Sequence, residues 1–426
     1  MYLGIDFGTS GCRAIVIDQQ HQTLASASHP LPAPNTRDNQ ITQNAEVWLV
    51  GLRYLLKQLG RQFDLRQIQR IAVDGTSASV LITNEKGQPL SPALMYNDAS
   101  SSAEVSLIEH HSPAAEHLCM TATSSLAKAI QLKRNIKDYA IKILHQADFL
   151  SNYLIGDWGI SDYHNSLKLG YDLEQNCWPQ WVSNLFPEDT LPEVVAPGSV
   201  IGTIQPERAA ELGLNPDCEV RAGSTDANAA FIATGCAQPG DAVTSLGSTI
   251  VLKILDEHPV QQLQTGVYSH RLGNYWLCSG GSNAGAGILR HYFNDQELQR
   301  LSAQIDVNKS TGLNYYPLIS KGERFPVNDP NKEPMLKPRP DSNVDFLHGL
   351  LEGLSRIEKA GYEKLASLGT RKPTRILTMG GGAVNPQWQA IRSRMLGIPV
   401  LAASHTQAAY GSALIAHQGI APYINP

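Results

Sequence analysis

The feature that most constrains the fold of this chain is a strand–turn–strand pattern that occurs twice. The first copy, residues 2–17, has a short apolar run, a Gly/Thr/Ser turn beginning at Gly8, and a β-branched run. The second copy, residues 241–253, repeats this order around a turn beginning at Gly247, more than half of the 426-residue chain later. Each copy is typical of a β-hairpin. The duplication predicts two similar lobes facing each other, although two unrelated hairpins would give the same pattern.

Alternating strand and helix patterns between and after these hairpins predict an α/β fold. The expected strands lie at 71–74, 80–83, 220–224 and 375–379, and the expected helices at 47–63, in two pieces within 124–155, after 225, at 345–368 and after 385. The Pro- and Gly-rich residues 187–206 predict a surface connection, and 320–342 an extended loop. We place the domain boundary so that residues 1–222 form one lobe and residues 223–426 the other.

Composition excludes several function classes. The formal net charge of −5 gives no electrostatic footprint for nucleic acid or an anionic membrane. The chain has six cysteines and no C-x-x-C pair, which favours reduced thiols in a reducing compartment. It has no apolar run long enough to span a membrane, and its first residues do not resemble a signal peptide. We therefore expect a soluble cytoplasmic protein, a monomer or homodimer, that acts on a small molecule.

The two turns have the composition of an anion cradle. Backbone N–H groups and short hydroxyls at Gly8, Thr9 and Ser10, and at Gly247 and Ser248, leave room for phosphate oxygens. An ordinary hairpin turn has the same composition. Asp6 precedes the first turn, and a carboxylate beside phosphates is useful only with a metal such as Mg²⁺ between them. The alternative is that Asp6 caps its own turn.

A third glycine element follows the strand at 375–379. Gly380, Gly381 and Gly382 stand in a row, and Asn385 and Pro386 begin the next helix as N-cap and first helical residue. Consecutive glycines destabilise a chain unless something needs the space. The pattern therefore predicts a surface of bare backbone against which a flat ligand lies.

Asp226 is the candidate for chemistry. It follows a strand in Gly223-Ser224-Thr225-Asp226, where a carboxylate is either a helix cap or the acceptor of a proton from a substrate hydroxyl. The chain has no P-loop, no G-x-G-x-x-G, no H-E-x-x-H and no G-x-S-x-G motif. These absences count against P-loop kinases, Rossmann dehydrogenases, zincins and typical α/β-hydrolases.

These elements in this order resemble the FGGY carbohydrate kinases over nearly the whole chain. The matching motifs are Gly4 to Ser10, Ser245 to Thr249, Gly380 to Asn385, Gly223 to Asp226, and the connecting stretches 146–150, 161–165 and 317–326. The resemblance implies the two-lobed actin/hexokinase-type, ribonuclease H-like ATPase fold around a central cleft. It also implies phosphorylation of a sugar with ATP and Mg²⁺.

Roles for single residues come from the same resemblance. Asp226 would be the general base, and Asp6 would organise Mg²⁺ and line the sugar site together with Ser77 and Asp226. The residues that would contact the phosphates of ATP are Gly8, Thr9, Ser10, Gly247 and Ser248, and those that would hold adenosine are Gly381, Gly382 and Asn385.

The chain also departs from the family pattern. Thr76 and Ser77 stand where many members carry Gln, and Tyr96 to Ser100 lacks the Arg of the usual Trp-x-Asp-x-Arg motif. Both departures and the short chain are similar to a compact cyanobacterial and plant group of D-ribulose kinases, in which a serine at the Ser77 position contacts sugar; Ser79 competes for that alignment. We expect D-ribulose as the substrate. The alternatives are a D-xylulose or polyol kinase and, from another class, a sugar-independent ATPase or nucleotide-binding regulator.

Overall fold

The computed structural model describes residues 1–136 and 140–424 of the chain. The chain forms two compact units. The first contains Met1–Ala233 and Gln407–Pro422, and the second contains Thr234–Thr406 and the terminal residues from Tyr423 onward. The described residues contain no helix long and apolar enough to cross a membrane.

Both units combine strands with flanking helices. Over the described residues, the strands are β1 (Tyr2–Phe7), β2 (Gly11–Ile17), β3 (Thr23–Pro30), β4 (Asn35–Arg37), β5 (Gln40–Gln43), β6 (Arg70–Gly75), β7 (Val80–Asn84), β8 (Ala93–Leu94), β9 (Ile141–His145), β10 (Ile160–Asp162), β11 (Glu193–Val195), β12 (Val200–Thr203), β13 (Glu219–Thr225), β14 (Asp241–Leu246), β15 (Ile250–Asp256), β16 (Tyr268–Leu272), β17 (Tyr275–Ser282), β18 (Arg375–Met379) and β19 (Val400–Ala402). The α-helices are α1 (Ala45–Leu59), α2 (Ser102–His111), α3 (Ser125–Arg134), α4 (Gln146–Ile155), α5 (Tyr163–Ser166), α6 (Gln180–Ser183), α7 (Pro206–Leu212), α8 (Asp226–Ala233), α9 (Gly287–Tyr292), α10 (Asp295–Ser302), α11 (Asn343–Ser367), α12 (Pro386–Leu396) and α13 (Ala408–Gln418).

The main sheet of the first unit has the strand order β12-β13-β6-β1-β2-β3. Strands β1, β2 and β3 form an antiparallel meander, whereas β6 runs parallel to β1 and β13 runs parallel to β6. The carboxyl ends of β1, β6 and β13 therefore lie at the same edge of the sheet, where open α/β sheets commonly bind ligands.

The second unit repeats this arrangement. Its sheet has the order β16-β17-β15-β14-β18-β19, in which β14, β15 and β17 are antiparallel and β14, β18 and β19 are parallel. The hairpin β14–β15 thus has the place that β1–β2 has in the first unit. The sequence duplication is a duplication of folded lobes, as predicted, and the two hairpins are equivalent elements.

Each sheet is covered by helices with apolar faces. Trp48, Leu52 and Leu56 of α1 are buried in the core of the first unit, and α13 packs on β1 and β6. This packing requires Gly4, because a Cβ there would lie 2.0 Å from the backbone oxygen of Ala409 in α13. In the second unit the long helix α11 fills the corresponding role, with α12 packed against it.

A smaller five-stranded sheet belongs to the first unit. Its strand order is β4-β5-β8-β7-β9, and α3 packs against β7. Strand β6 of the main sheet leads through residues 76–79 directly into β7. The short segment between them is therefore held between two sheets, and it contains the candidate residue Ser77.

The expected division into residues 1–222 and 223–426 differs from the compact units in two ways. Helix α8 belongs to the first unit because it packs against α13 and continues directly from β13. The chain then returns from the second unit to the first at Gln407 to supply α13. Residues 187–206 are also more than a surface connection, since β12 pairs with β13 at the edge of the main sheet.

Candidate active site

Acidic residues gather where three neighbouring parallel strands end. Asp6 in β1 and Asp74 in β6 are paired in register, one residue before the end of each strand. On the other side of β6, Ser224 of β13 is paired with Asp74, and Asp226 follows two residues later as the first residue of α8. The fold thus brings Asp226 and Asp6, predicted from distant parts of the sequence, to one edge of one sheet.

A bulge in β13 sets the position of Asp226. The pairing of β13 with β6 shifts register between Arg221 and Ser224. Within that shift, a Cβ on Gly223 would lie 1.7 Å from the backbone oxygen of Val73. Glycine is therefore required there, and the close approach of the two strands fixes where β13 ends and the helix with Asp226 begins.

The two paired carboxylates have different partners. Asp6 is nearly buried and receives a hydrogen bond of 3.4 Å from the guanidinium of Arg13, its antiparallel neighbour in β2. Burial raises the pKa of Asp6, while its hydrogen bond with Asp74 and the Arg13 charge act in the opposite direction. Asp74 is fully buried and accepts a hydrogen bond from the hydroxyl of Ser412 in α13. Burial and then the Asp6 charge raise the pKa of Asp74 well above its usual range.

Residues 76–79 form a tightly bonded loop beside these carboxylates. The hydroxyls of Thr76 and Ser79 are hydrogen-bonded to each other, and the Gln146 side chain accepts from the backbone N–H and the hydroxyl of Thr76 at 2.9 and 2.8 Å. The Ser79 hydroxyl also accepts from the backbone of Tyr96 and is fully buried. Ser77, in contrast, is partly exposed. Of the two competing serines, Ser77 is therefore the one with access to a ligand.

A buried histidine contacts the segment that precedes Asp226. The ring Nδ1 of His164 lies 2.8 Å from the hydroxyl of Ser224, and both side chains are buried. His164 is in turn held by Asp162, whose carboxylate caps α5 and accepts from the His164 backbone at 2.8 Å. Asp226 itself is half-buried, and its carboxylate accepts from the backbone N–H of Ala227 at 2.6 Å. It therefore acts as a local cap and is also accessible.

The first predicted phosphate turn closes the hairpin β1–β2. The backbone N–H of Gly8 donates to the oxygen of Gly11 at 3.0 Å. Gly8 and Thr9 are partly exposed and Ser10 is exposed. The turn is therefore open to solvent, two residues after the buried Asp6.

The second predicted turn borders a cavity of about 920 Å³ in the second unit. Gly247 donates to the oxygen of Thr249 at 3.1 Å, and its own oxygen accepts from Ala286 at 2.9 Å. Every residue predicted for nucleotide contact in this unit lines that cavity, namely Gly247, Ser248, Gly381, Gly382 and Asn385. The volume is within the range of about 300–1,000 Å³ that is usual for small-molecule sites.

The three consecutive glycines have distinct structural reasons. Gly380 has a φ of +85°, and a Cβ on Gly382 would lie 2.6 Å from the Trp388 ring. A Cβ on Gly381 would have no atom within 4 Å and would face open space. The fold itself therefore requires Gly380 and Gly382, whereas the absence of a side chain at Gly381 keeps the cavity wall bare.

Asn385 begins α12 as predicted. Its side-chain oxygen accepts from the backbone of Trp388 at 3.0 Å, and its amide donates to Ser302 at 2.9 Å. Asn385 thus ties α12 to α10 across the cavity wall. Its amide has one further N–H, which is the group available to a ligand.

A buried polar network lies beneath the two turns of the second unit. The guanidinium of Arg392 donates twice to Glu358 at 2.6 Å and once to Thr378 at 2.7 Å, while Thr244 also donates to Glu358. Thr244 and Thr378 are paired in register on β14 and β18, two residues before the end of β14 and one residue before the end of β18. The network thereby fixes the ends of the strands that carry Gly247 and Gly381.

Sequence reasoning missed Asp74, although a signal was present. Asp6 and Asp74 each stand before a glycine-containing strand end, in Ile-Asp-Phe-Gly and Val-Asp-Gly. Within the described residues, no group of three or more His, Cys, Asp and Glu is arranged as a metal centre. A Mg²⁺ ion needs only one or two carboxylates when phosphate oxygens complete its shell, and the Asp6 oxygens suit it chemically.

Comparison with known proteins gives matches over the whole fold. The model for the N-terminal domain of the FGGY family of carbohydrate kinases matches residues 1–233, and that for the C-terminal domain matches residues 242–419. A xylulose kinase of Klebsiella pneumoniae is 23% identical over 440 aligned positions, which cover 99% of this chain and 90% of that protein.

Solved structures agree on the fold. The xylulose kinase of Rhodospirillum rubrum superposes with a TM-score of 0.85 at 21% identity, over 98% of this chain and 89% of that one. The glycerol kinase of Plasmodium falciparum, solved with ADP, superposes with a TM-score of 0.84 at 16% identity, over the same shares. The two-lobed sugar-kinase fold expected from the sequence is thus confirmed.

Proposed function

Because the chain belongs to the FGGY family of carbohydrate kinases, we propose that it transfers the terminal phosphoryl group of ATP to the terminal hydroxyl of a ketopentose. The observation that carries the proposal is that Asp6 and Asp226 lie at the same edge of the main sheet, at the ends of β1 and β13 on either side of β6, with an exposed Gly/Thr/Ser turn after β1. Carboxylates at this position suit a polyhydroxyl substrate, since each accepts hydrogen bonds from sugar hydroxyls.

In the proposed mechanism, Asp226 is the general base. Its carboxylate is accessible at the start of α8 and accepts the proton of the attacking hydroxyl. Asp6 and Ser77, together with Asp226, hold the sugar. Asp74 is hydrogen-bonded to Asp6 and is fully buried, so it does not contact the substrate.

The nucleotide is assigned to the glycine turns. Gly8, Thr9 and Ser10, with Gly247 and Ser248, would donate to the phosphates, and Gly381, Gly382 and Asn385 would line the adenosine site. Support comes from the 920 Å³ cavity, which the five residues of the second unit share. Asp6 would hold Mg²⁺, which when bound neutralises charge on the phosphates.

Two pentuloses compete as the substrate. The Klebsiella pneumoniae relative named above favours D-xylulose, because it is a xylulose kinase. The residues of the pocket favour D-ribulose, because Thr76 and Ser77 replace the usual Gln and the segment Tyr96 to Ser100 lacks the usual Arg. We retain D-ribulose as the proposed substrate and D-xylulose as its direct competitor. The six free thiols support a cytoplasmic location, where a reducing environment maintains them.

The test is phosphorylation of a panel of D-ribulose, D-xylulose and glycerol, with ADP release measured with and without sugar. The proposal expects ADP release that depends on a pentulose. ADP release that no sugar increases would instead support the sugar-independent ATPase.

We further expect Asp226→Ala to lower pentulose phosphorylation by about 10²–10⁴-fold while ATP affinity stays within a few-fold of wild type. Asp226→Asn keeps the cap to Ala227 and separates loss of the base from loss of the turn. A loss of only two- to threefold in both variants would refute the role of Asp226 as general base.

A further inference from the structure

Lys128 is a lysine with no exposed surface in the middle of the first unit. It lies on α3, which begins at Ser125 after the N-cap Ser124. Its side-chain Nζ donates to three backbone oxygens, those of Ala78 at 2.9 Å, Met95 at 2.6 Å and Tyr96 at 3.1 Å. An ammonium group has three N–H donors and no acceptor, so these three oxygens use its full capacity.

The three oxygens belong to two separate segments. Ala78 lies in the loop with Ser77, the candidate sugar contact. Tyr96 begins the segment that departs from the family's sugar-contact motif, and Met95 directly precedes it. The two segments are also joined directly, because the backbone of Tyr96 donates to the Ser79 hydroxyl at 3.0 Å. Lys128 therefore ties together the two segments whose residues distinguish this pocket.

Ala78 shows that the loop is held against its own preference. Its φ is +67°, in the left-handed region that residues other than glycine rarely adopt. Its backbone oxygen is one of the Lys128 acceptors. A hydrogen bond in a buried site, which would leave the Ala78 oxygen unpaired if it were lost, helps to hold a strained residue of this kind.

We propose that Lys128 is a positioning residue for the sugar pocket, which fixes Ser77 and Tyr96 relative to each other and so contributes to the choice between pentuloses. The inference rests on the proposed sugar-kinase function. Lys128 does not touch substrate, because its amine is enclosed by backbone oxygens. Its effect therefore passes through the loop at residues 76–79 and the segment beginning at Tyr96.

The test compares Lys128→Met with Lys133→Met. Both lysines lie on α3 and both donate to backbone oxygens, but Lys133 bonds Leu185, away from the sugar loop. Lys128→Met leaves three oxygens without their donor, so the KM for pentulose should rise at least about tenfold, with the KM for ATP within about twofold. The ratio of kcat/KM between D-ribulose and D-xylulose should also change. Lys133→Met should alter neither quantity.

Two further variants separate positioning from general stability. Lys128→Gln keeps two N–H donors on a side chain that is shorter by one atom, and it serves if Lys128→Met does not fold. Adding Ala78→Gly, which removes the penalty for positive φ, should restore part of the pentulose affinity lost in either variant. A folded Lys128 variant with unchanged pentulose KM, or one in which both KM values rise together without recovery by Ala78→Gly, overturns the inference. A wild-type enzyme that phosphorylates no pentulose overturns the proposed function instead.

Discussion

At the scale of single residues, Asp6 and Asp74 are paired in register but lie in different environments. Asp6 has the Arg13 cation beside it and is followed directly by the exposed turn, whereas Asp74 is enclosed and bonded by Ser412. Asp6 is 5% exposed and Asp74 has no exposed surface, so of the two carboxylates only Asp6 has any access to a bound ion. Of the two residues that share this sequence pattern, the one on β1 is therefore the candidate Mg²⁺ ligand.

This difference leads to a paired prediction. Asp6→Asn keeps the shape and an acceptor oxygen but removes the charge, so turnover should fall by orders of magnitude and the response of the rate to Mg²⁺ concentration should weaken. The melting temperature should change little. Asp74→Asn, the same change on the neighbouring strand, should retain the hydrogen bond from Ser412 and keep turnover within about tenfold.

The measurement is initial rate against Mg²⁺ concentration for both variants and wild type. Near-normal turnover and an unaltered Mg²⁺ titration for Asp6→Asn would show that Asp6 only caps its turn, since Asn and Asp cap about equally well.

The role of a single residue could be predicted from the sequence where its contacts are local in the chain, and could not where its contacts are distant in sequence. Asn385 was recognised as an N-cap because the cap and its helix are adjacent in sequence. Lys128 gave no signal, since its three acceptors lie 32 to 50 residues away. Charge and spacing alone do not reveal a lysine that is buried among backbone oxygens.

At the scale of elements, the three glycines that follow β18 are needed for different reasons. Gly382 is needed for packing against Trp388, and Gly381 faces the cavity. The conformational freedom of glycine is thus needed at Gly380, its small size at Gly382, and its lack of a side chain at Gly381.

We predict that Gly381→Val and Gly382→Val have opposite consequences. The branched side chain of Gly381→Val enters the cavity without touching the fold, so ATP affinity should fall at least about tenfold while the melting temperature is kept. Gly382→Val must displace the Trp388 ring and should lower the free energy of unfolding by about 1–3 kcal/mol. Calorimetric ATP titration and thermal unfolding of both variants measure these effects. Unchanged ATP affinity in folded Gly381→Val would show that the glycine row is only a turn.

The strands and helices that bear the site were predictable because their periodicity is strong. The hairpins, the strand before Asp226 and the helix after Asn385 were all predicted close to their observed bounds. Strand β12 was not, because it is short, contains Gly202 and lies at a sheet edge, where its pattern is that of a loop. The strand β9 between α3 and α4 was likewise hidden within a segment predicted as helical.

At the scale of the whole molecule, the burial of the thiols shows that both cores exclude solvent. Cys177 is exposed, and the buried thiols are those of Cys12, Cys119, Cys218, Cys236 and Cys278. Burial raises the pKa of Cys236 and Cys278 to about 11. It raises the pKa of the other three buried thiols as well.

We therefore expect iodoacetamide at pH 8 to modify Cys177 in the native protein and all six cysteines after denaturation, as counted by intact mass. A raised thiol pKa means that the folded state keeps protons that the unfolded state loses above pH 9. The buried thiols should thus make the free energy of unfolding fall as pH rises from about 9 towards 11, measured by urea unfolding. Rapid native modification of more than one thiol would contradict the closed cores.

The position of helix α13 in the chain determines when, during synthesis, the first unit can complete its fold. A ribosome makes β1 well before the helix that covers this strand and is fitted against Gly4, because residues Thr234–Thr406 of the second unit come between them in the chain. One face of the central strands of the nascent first unit therefore stays uncovered while residues Thr234–Thr406 of the second unit are translated. We expect such a chain to depend on chaperones during synthesis more than a chain whose lobes are each contiguous. A premature stop codon after residue 406 would leave the first unit without α13.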